Sequence, residues 1–250
     1  MNKDITDILE GWEYKPTEIS VRKIIGKDGK ERIQLRLDLG LLQMEIDGRP
    51  DGKRPHGYES LFEYYKSLLK NHIKKYGTEE NFTLDSDECF KLHHEAVQYY
   101  HRYLSLFHLE DFKRAERDTR RNLEVFDFVK KYVANNEDAL IFEQYRPYVI
   151  MMNTRAKCSL ALERKDYENA LKIIKIGIRA IENLYVENGE EKLIETSREI
   201  EFLNEWYKNI KNTRPVSLKQ KLERELKKAV EDQDYERAAK LRDELKKIKE

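Results

Sequence analysis

Cysteine is scarce in this chain of 250 residues: Cys89 and Cys158 are too few for a disulfide framework, and no CxxC pair is present to begin a structural zinc site. The N-terminal residues lack the apolar run of a signal peptide, and no later stretch is apolar enough to cross a bilayer. Positive charge is not in excess either, since 48 basic residues balance 48 acidic ones. Coating nucleic acid requires a basic surplus. These absences predict a reduced, cytoplasmic protein.

Motifs of catalysis are also missing. The chain has no GxxxxGKS/T phosphate loop, no nucleophile motif and no isolated pair of acid–base carboxylates. His94, His101 and His108 recur every seven residues, but neighbours in that series would lie about 10.5 Å apart along a helix, too far to share one ion. Cys89 and His93, one helical turn apart, have no evident further ligands. We therefore predict a protein that is not an enzyme and that holds no metal or cofactor.

Residues 1–57 carry the pattern of a small β-hairpin or three-stranded meander. Apolar and polar residues alternate at period two around Asp28-Gly29, a dipeptide that favours a tight hairpin turn. The alternation changes phase near Gly40, which we interpret as a bulge or bend. So small a sheet is marginally stable alone, and we expect it to pack on helices. The apolar residues assigned to one face of a strand are Ile33, Leu35, Leu37 and Leu39.

The region 58–211 has apolar residues at helical spacing almost throughout, which predicts a mainly α fold. Pro147 is expected to kink or restart a helix. Pro215 ends the region, and Ser217 is suited to cap the first helix of a separate hairpin over 217–250. The predicted helices cover about 58–76, 85–109, 111–133, 137–144, 147–164, 166–185 and 190–209.

Three short segments share an acidic residue, an aromatic residue and an alanine. The acidic residue is suited to cap a helix, the aromatic to pack back on the preceding helix, and the alanine to allow close approach of two helices. This geometry explains the shared pattern without common ancestry. The segments are Asp111-Phe112-x-x-Ala115, Asp166-Tyr167-x-x-Ala170 and Asp234-Tyr235-x-x-Ala238.

The second of these segments resembles a tetratricopeptide repeat, with the small Cys158 before it and Ile174, Gly177 and Ile181 continuing an inner face. The first copy is less similar because the bulky Tyr103 stands where that family usually has a small residue. The two copies are also farther apart than the period of about 34 residues in such arrays. The resemblance implies a tetratricopeptide-like antiparallel helical domain with irregular repeats.

The third segment lies in LKQKLERELKKAVEDQDYERAAKLRDELKKIKE, residues 218–250, which closely resembles the UVR motif. That helical hairpin occurs in the excinuclease B and C subunits of bacterial nucleotide excision repair, in some chaperone ATPases and in an activator of a protein arginine kinase. The remainder of this chain has neither the phosphate loop nor the CxxC pairs of those carriers. It looks like a bacterial stand-alone UVR-motif protein.

Two helices of this length cannot bury enough apolar surface to be stable alone. Docking on the chain's own helices, pairing with a second copy and pairing with a hairpin of another UVR-containing protein are the alternatives. Basic and acidic residues nearly balance within the segment, which favours protein over DNA as the partner. The predicted partner-binding residues are Leu222, Leu226, Val230, Tyr235, Ala238, Ala239, Leu241, Leu245 and Ile248.

The loop DGRPDGKRPHG, residues 47–57, concentrates cationic side chains among glycines and prolines. Arg49, Lys53, Arg54 and His56 are candidates for binding a phosphate or an acidic peptide. The alternative is a solvated connection between strand and helix.

A tyrosine-rich stretch, VQYYHRYLSLF, has a similar pair of interpretations. Tyr99, Tyr100 and Tyr103 beside Arg102 can stack a base or grip a peptide, or they can form core with hydroxyls at its rim, as amphipathic rings usually do.

These features together predict a non-enzymatic adaptor that uses its C-terminal hairpin to bind a protein, in excision repair or in stress-linked proteolysis. One alternative is a helical scaffold that binds peptides while the hairpin mediates dimerisation. The other is a nucleic-acid-binding protein or an enzyme that uses the basic loop.

Overall fold

The computed structural model describes residues 4–215 and 218–247, and of residues 218–220, 223–224 and 246–247 it describes the backbone alone. The chain divides into two compact units, Met1–Tyr207 and Lys208–Glu250. Helices dominate the described residues, as expected for a mainly α fold. Within the described ranges, each helix is too short or too polar to cross a bilayer.

The N-terminal region forms the predicted three-stranded antiparallel meander. After a short helix, α1 (Thr6–Leu9), strands β1 (Val21–Ile25), β2 (Glu31–Leu37) and β3 (Gly40–Glu45) pair in the order β1-β2-β3. The loop between β1 and β2 contains Gly29, whose φ of +76° is the left-handed conformation expected of glycine in a tight turn.

The change of phase near Gly40 marks a hairpin turn, so the interpretation as a bulge is wrong. Leu37 pairs with Gly40, and the chain reverses between them. Ile33 and Leu35 are buried as predicted, but Leu37 is partly exposed and Leu39, in the turn, is 91% exposed. Alternation restarts on the returning strand, where the buried Met44 pairs with Ile33.

Seven α-helices of the described chain precede the C-terminal hairpin, and six lie near their predicted positions. The last begins at Arg198 rather than at residue 190, because residues Glu191–Ile194 form a separate 3-10 turn and the Ser197 hydroxyl caps the helix by accepting from the Ile200 N–H. The first begins at Leu61 rather than Tyr58 because Ser60 caps it, its hydroxyl accepting a hydrogen bond from the Glu63 N–H at 3.2 Å. Pro147 occupies the first turn of its helix, where a missing N–H costs nothing, so a new helix begins at this proline instead of a helix being kinked by it. The helices are α2 (Leu61–Tyr76), α3 (Ser86–His108), α4 (Phe112–Tyr132), α5 (Asn136–Glu143), α6 (Arg146–Glu163), α7 (Tyr167–Glu187) and α8 (Arg198–Thr213).

The long helices pack as a row in which α3 contacts α4, α4 contacts α6, and α6 contacts α7. The helix α5 lies against α3 and α4, and its Phe142 is fully buried in their core. The predicted inner face of α7 is buried, including Ile174 and Ile181. At Gly177 the approach of α6 is so close that a Cβ atom would lie 2.2 Å from the Thr154 hydroxyl oxygen. A residue without a side chain is therefore needed there.

The three acidic–aromatic–alanine segments form the same turn. Asp111, Asp166 and Asp234 each accept a hydrogen bond from the backbone N–H three residues later, at 3.2, 3.2 and 3.0 Å. The residue before each aspartate has a positive φ, from 57° at Glu110 to 60° at Gln233. Each aspartate N–H also donates to the carbonyl five residues earlier, which closes the preceding helix as a Schellman motif does. The alanines Ala115, Ala170 and Ala238 are all buried.

A buried ion pair joins the sheet region to the helices. The Arg102 guanidinium on α3 donates to both carboxylate oxygens of Asp118 on α4, at 2.6 and 3.0 Å, and both side chains are 1% exposed. The same guanidinium donates to the carbonyls of Glu45 and Gly48, at 3.0 and 2.7 Å, at and just beyond the end of β3. Because a buried guanidinium must have its donors satisfied, Arg102 fixes where the chain leaves the sheet.

We expect Arg102→Met to lower the free energy of unfolding by about 3–5 kcal/mol, because it leaves the buried Asp118 carboxylate with the partly exposed Arg117 alone as its cationic partner. Adding Asp118→Leu should recover part of that loss, since no buried charge then remains. The control is Arg120→Met, which removes an exposed arginine of α4 that pairs with Glu116; we expect a change below about 1 kcal/mol. Urea unfolding followed by circular dichroism measures all three, and equal effects of Arg102→Met and Arg120→Met would contradict the assignment.

Candidate functional site

The C-terminal hairpin consists of α9 (Leu218–Glu231) and α10 (Tyr235–Lys247), which pack against each other. Gln233 adopts the left-handed conformation between them, and the Asp234 N–H donates to the Ala229 carbonyl at 2.8 Å. The Asp234 carboxylate caps α10 through the Arg237 N–H. An ion pair between Arg237 and Glu225, at 3.8 Å, crosses from one helix to the other. The predicted cap Ser217 lies outside the described residues.

The part of the hairpin core that the structure describes is small. Among the hairpin residues with described side chains, four form this core, and two further leucines pack against them half-buried. Two of the four are alanines, so the core offers little apolar area for about thirty residues of backbone, and domains of this size usually need additional stabilisation. The core residues are Leu222, Ala229, Ala238 and Leu241, with Leu226 and Leu245 packed against them.

Three of the predicted partner-binding residues remain at the surface. Val230, at the end of α9, is 51% exposed, and Tyr235, at the start of α10, is 70% exposed. Ala239 is also exposed and lies one helical turn after Tyr235, so the two share a face of α10. We call Val230, Tyr235 and Ala239 the turn-end patch. Ile248, also predicted to bind a partner, lies outside the described residues.

Residues 217–250 match the family model of the UvrB/uvrC motif. The match covers both helices of the hairpin, so the resemblance drawn from its sequence is confirmed. No curated protein and no solved structure matches the chain. A UVR hairpin is a protein–protein interaction module, and its presence links this chain to protein interaction or to DNA repair.

The four candidate residues of the basic loop between β3 and α2 have different surroundings. Arg49 points inward: its Nε lies 3.2 Å from Asp51 and 3.4 Å from the fully buried Glu95, so these carboxylates already engage it. Lys53 and Arg54 are exposed. The His56 ring stacks on Tyr64 with centroids 4.0 Å apart. An anion site in this loop stays a prediction, carried by Lys53 and Arg54 rather than by Arg49.

The buried carboxylate of Glu95 stabilises the fold by capping a helix. It accepts hydrogen bonds from the N–H groups of Leu61 and Phe62, at 2.8 and 3.2 Å, and so caps the start of α2 from α3. The Arg121 guanidinium donates to the same carboxylate and lies 4.0 Å from the centre of the Tyr99 ring. The charge of Glu95 is therefore satisfied within the fold by these three groups and by Arg49. The arrangement could not be predicted from the sequence, because the partners come from distant segments.

The tyrosine-rich part of α3 belongs largely to the core, with Tyr99 and Tyr103 buried and Tyr100 half-buried. A cavity of about 440 Å³ opens beside it, between α3, α4 and α6. Its walls are mainly aromatic and aliphatic, and none of its lining residues is Lys, Arg, Asp or Glu. The sequence predicted the amphipathic rings but not the cavity, which depends on how Tyr145 and Tyr148 from beyond α5 meet them.

The two cysteines and the histidines do not assemble into a metal centre. Among the described residues, no group of three or more His, Cys, Asp or Glu side chains is placed to hold an ion. The His93 ring, one turn from Cys89, packs edge-on against Phe142 with centroids 5.5 Å apart. Burial lowers the pKa of His93 below its ordinary value. Burial raises the pKa of the Cys89 and Cys158 thiols to about 12.

Both thiols should therefore resist alkylation in the folded protein. Iodoacetamide reacts with the thiolate, and a pKa near 12 leaves roughly one thiol in ten thousand ionised at pH 8. We expect intact-mass spectrometry to find Cys89 and Cys158 unmodified after hours at pH 8, and both modified within minutes in urea. Rapid modification of either in the native protein would show that its helix opens.

Proposed function

We propose that the protein is a non-enzymatic adaptor whose UVR hairpin binds another UVR hairpin through the turn-end patch. The partner protein belongs to excision repair or to stress-linked proteolysis, the settings in which the motif's known carriers act. The observation that carries the proposal is the exposure of Tyr235. Its counterparts in the two other turns of the same geometry, Phe112 and Tyr167, are half-buried, whereas Tyr235 is 70% exposed.

Energetics support a patch that is covered on association. Removing a valine or a comparable apolar side chain from water contributes about 1.5–3 kcal/mol before the costs of association, and tyrosine is among the residues most enriched in binding hot spots. Val230 and Tyr235 supply such surface on either side of one hydrogen-bonded turn. The small core of the hairpin supports the same conclusion, because association would add the burial that the core lacks.

The buried titratable groups support a non-enzymatic role. Glu95 and Asp118 are the kind of buried carboxylate that enzymes use as acids or bases, but each is held by arginine, and Glu95 also by backbone N–H groups. The Cys89 and Cys158 thiols are buried with raised pKa values, the opposite of an activated nucleophile. These two carboxylates and two thiols belong to the packed fold, and none of the four is placed to act in catalysis.

A second candidate function is a peptide-binding helical scaffold in which the hairpin only mediates dimerisation. The tyrosine-lined cavity beside α3 favours it, since a mainly apolar cavity of this size can accept a side chain of a peptide. Deleting residues 216–250 separates the two. An adaptor loses its partner in a pull-down, whereas a scaffold keeps the partner and becomes monomeric in light scattering.

The sharpest test combines Val230→Lys with Tyr235→Glu. Each new residue suits its helix end electrostatically, and the net charge does not change, so the hairpin should still form. We expect affinity for the partner to fall at least about tenfold, or 1.4 kcal/mol, because the patch becomes charged. Fluorescence anisotropy with labelled full-length protein, titrated with excinuclease B subunit, excinuclease C subunit and unlabelled chain, measures the affinity.

The control exchanges an exposed ion pair elsewhere on α9, Lys227→Glu with Glu231→Lys. It also preserves net charge, and we expect wild-type affinity. Circular dichroism should show equal helix content in all forms. If the patch variant binds as the wild type does, the proposal is wrong, and if none of the three probes binds the wild type, its excision-repair branch and self-pairing are wrong.

A further inference from the structure

A groove of about 470 Å³ lies between α3, α6 and α8, within the unit Met1–Tyr207. On α6 it is lined by residues at successive helical turns, from Tyr148 through Met152 to Arg155. On α8 the rings of Phe202 and Trp206, four residues apart, form the facing wall. The groove therefore has aromatic sides and a single arginine among its lining residues.

Arg155 differs from the other arginines of the helical core. Arg102, Arg121 and Arg146 are each paired with a carboxylate, but no carboxylate among the described residues forms an ion pair with Arg155. Its hydrogen bond within that part of the chain is a weak one, to the Met152 sulfur at 3.5 Å. Burial lowers the pKa of Arg155, as expected of a cation with little compensation.

Two phenylalanine rings stand in place of a counterion. The Arg155 guanidinium carbon lies 5.2 Å from the ring centre of Phe107 and 4.9 Å from that of Phe202. Cation–π contacts offset only part of the cost of desolvating the charge. A carboxylate matches the planar donors of arginine with two parallel hydrogen bonds, which are much stronger than the contact to sulfur.

We propose that this groove binds a small aromatic monocarboxylate, with its carboxylate on Arg155 and its ring against Phe202 and Trp206. A single negative charge fits because the groove's lining offers one arginine, and Glu110 in the same lining repels a doubly charged anion more strongly than a singly charged one. A neutral ring compound would leave Arg155 uncompensated. The site is independent of the UVR hairpin and of the adaptor proposal.

The test uses the fluorescence of Trp206. The chain has two tryptophans, so Trp12→Phe leaves Trp206 as the single reporter, inside the groove. Full-length protein is titrated with hydrocinnamate, with its neutral amide hydrocinnamide, and with phenyl phosphate, which carries more negative charge. We expect saturable binding of hydrocinnamate, and affinities at least about tenfold lower for the other two, the factor that a charge-assisted pair supplies.

Arg155→Met keeps the length of the side chain and removes its charge, and should weaken hydrocinnamate at least about tenfold. The matched control is Arg179→Met, which removes the same charge from an exposed position on α7 and should leave affinity unchanged. The proposal is overturned by equal binding of acid and amide, by wild-type affinity in Arg155→Met, or by no saturable response to hydrocinnamate in the millimolar range. If Arg155→Met does not fold, the comparison of acid with amide on the parent chain decides alone.

Discussion

The buried pair of Arg102 and Asp118 is the interaction on which the organisation of the larger unit depends. A three-stranded meander is only marginally stable alone in water, and its buried residues must pack against other elements. Arg102 holds the meander against the helices because its guanidinium donates hydrogen bonds both to Asp118 of α4 and to two carbonyls at and beyond the end of β3. Replacing such a pair by apolar residues is often harmless to stability, but apolar residues would not specify which carbonyls meet α3. The pair therefore fixes position more than it adds free energy.

A buried charge needs partners of opposite charge or hydrogen-bonding groups. This rule distinguishes the charged residues of this unit that are paired within the fold from the one that can bind a ligand. Glu95 is fully buried and is satisfied by two N–H groups and by arginine, so it closes the start of α2. Arg146 is likewise paired, with Glu143 and Asp127, at the start of α6. Arg155 has aromatic rings where these residues have counterions. A charge left in that state on the wall of a groove is a natural point of attachment for an anion, because the cost of its partial burial has already been met by folding.

Local chemistry could be predicted from the sequence, and long-range chemistry could not. The turn at Asp28-Gly29, the restart at Pro147 and the aspartate caps depend on a few consecutive residues, and all were found where expected. Leu39 was misplaced because alternation along one strand cannot be told from alternation that reverses through a two-residue turn. The partners of Arg102 lie from 16 to 57 residues away, and the residues that line the Arg155 groove come from four separate helices. No period in the sequence connects such residues, so only the fold reveals them.

The threefold use of one turn shows how similar sequences serve different ends. In each copy an aspartate caps the second helix and a buried alanine brings the helices together. These features are local, and they are satisfied in every copy. The burial of the aromatic residue between them is not decided by the turn itself, because it depends on which other elements pack nearby. Phe112 meets Phe107 of the preceding helix, with ring centroids 5.9 Å apart, whereas Tyr235 is largely exposed beside the shortest helices of the three hairpins. A helical pair in a layered array covers its aromatic with neighbours in the same chain. A terminal pair of short helices has fewer residues with which to do so, and the exposed ring is then surface that a second molecule can cover.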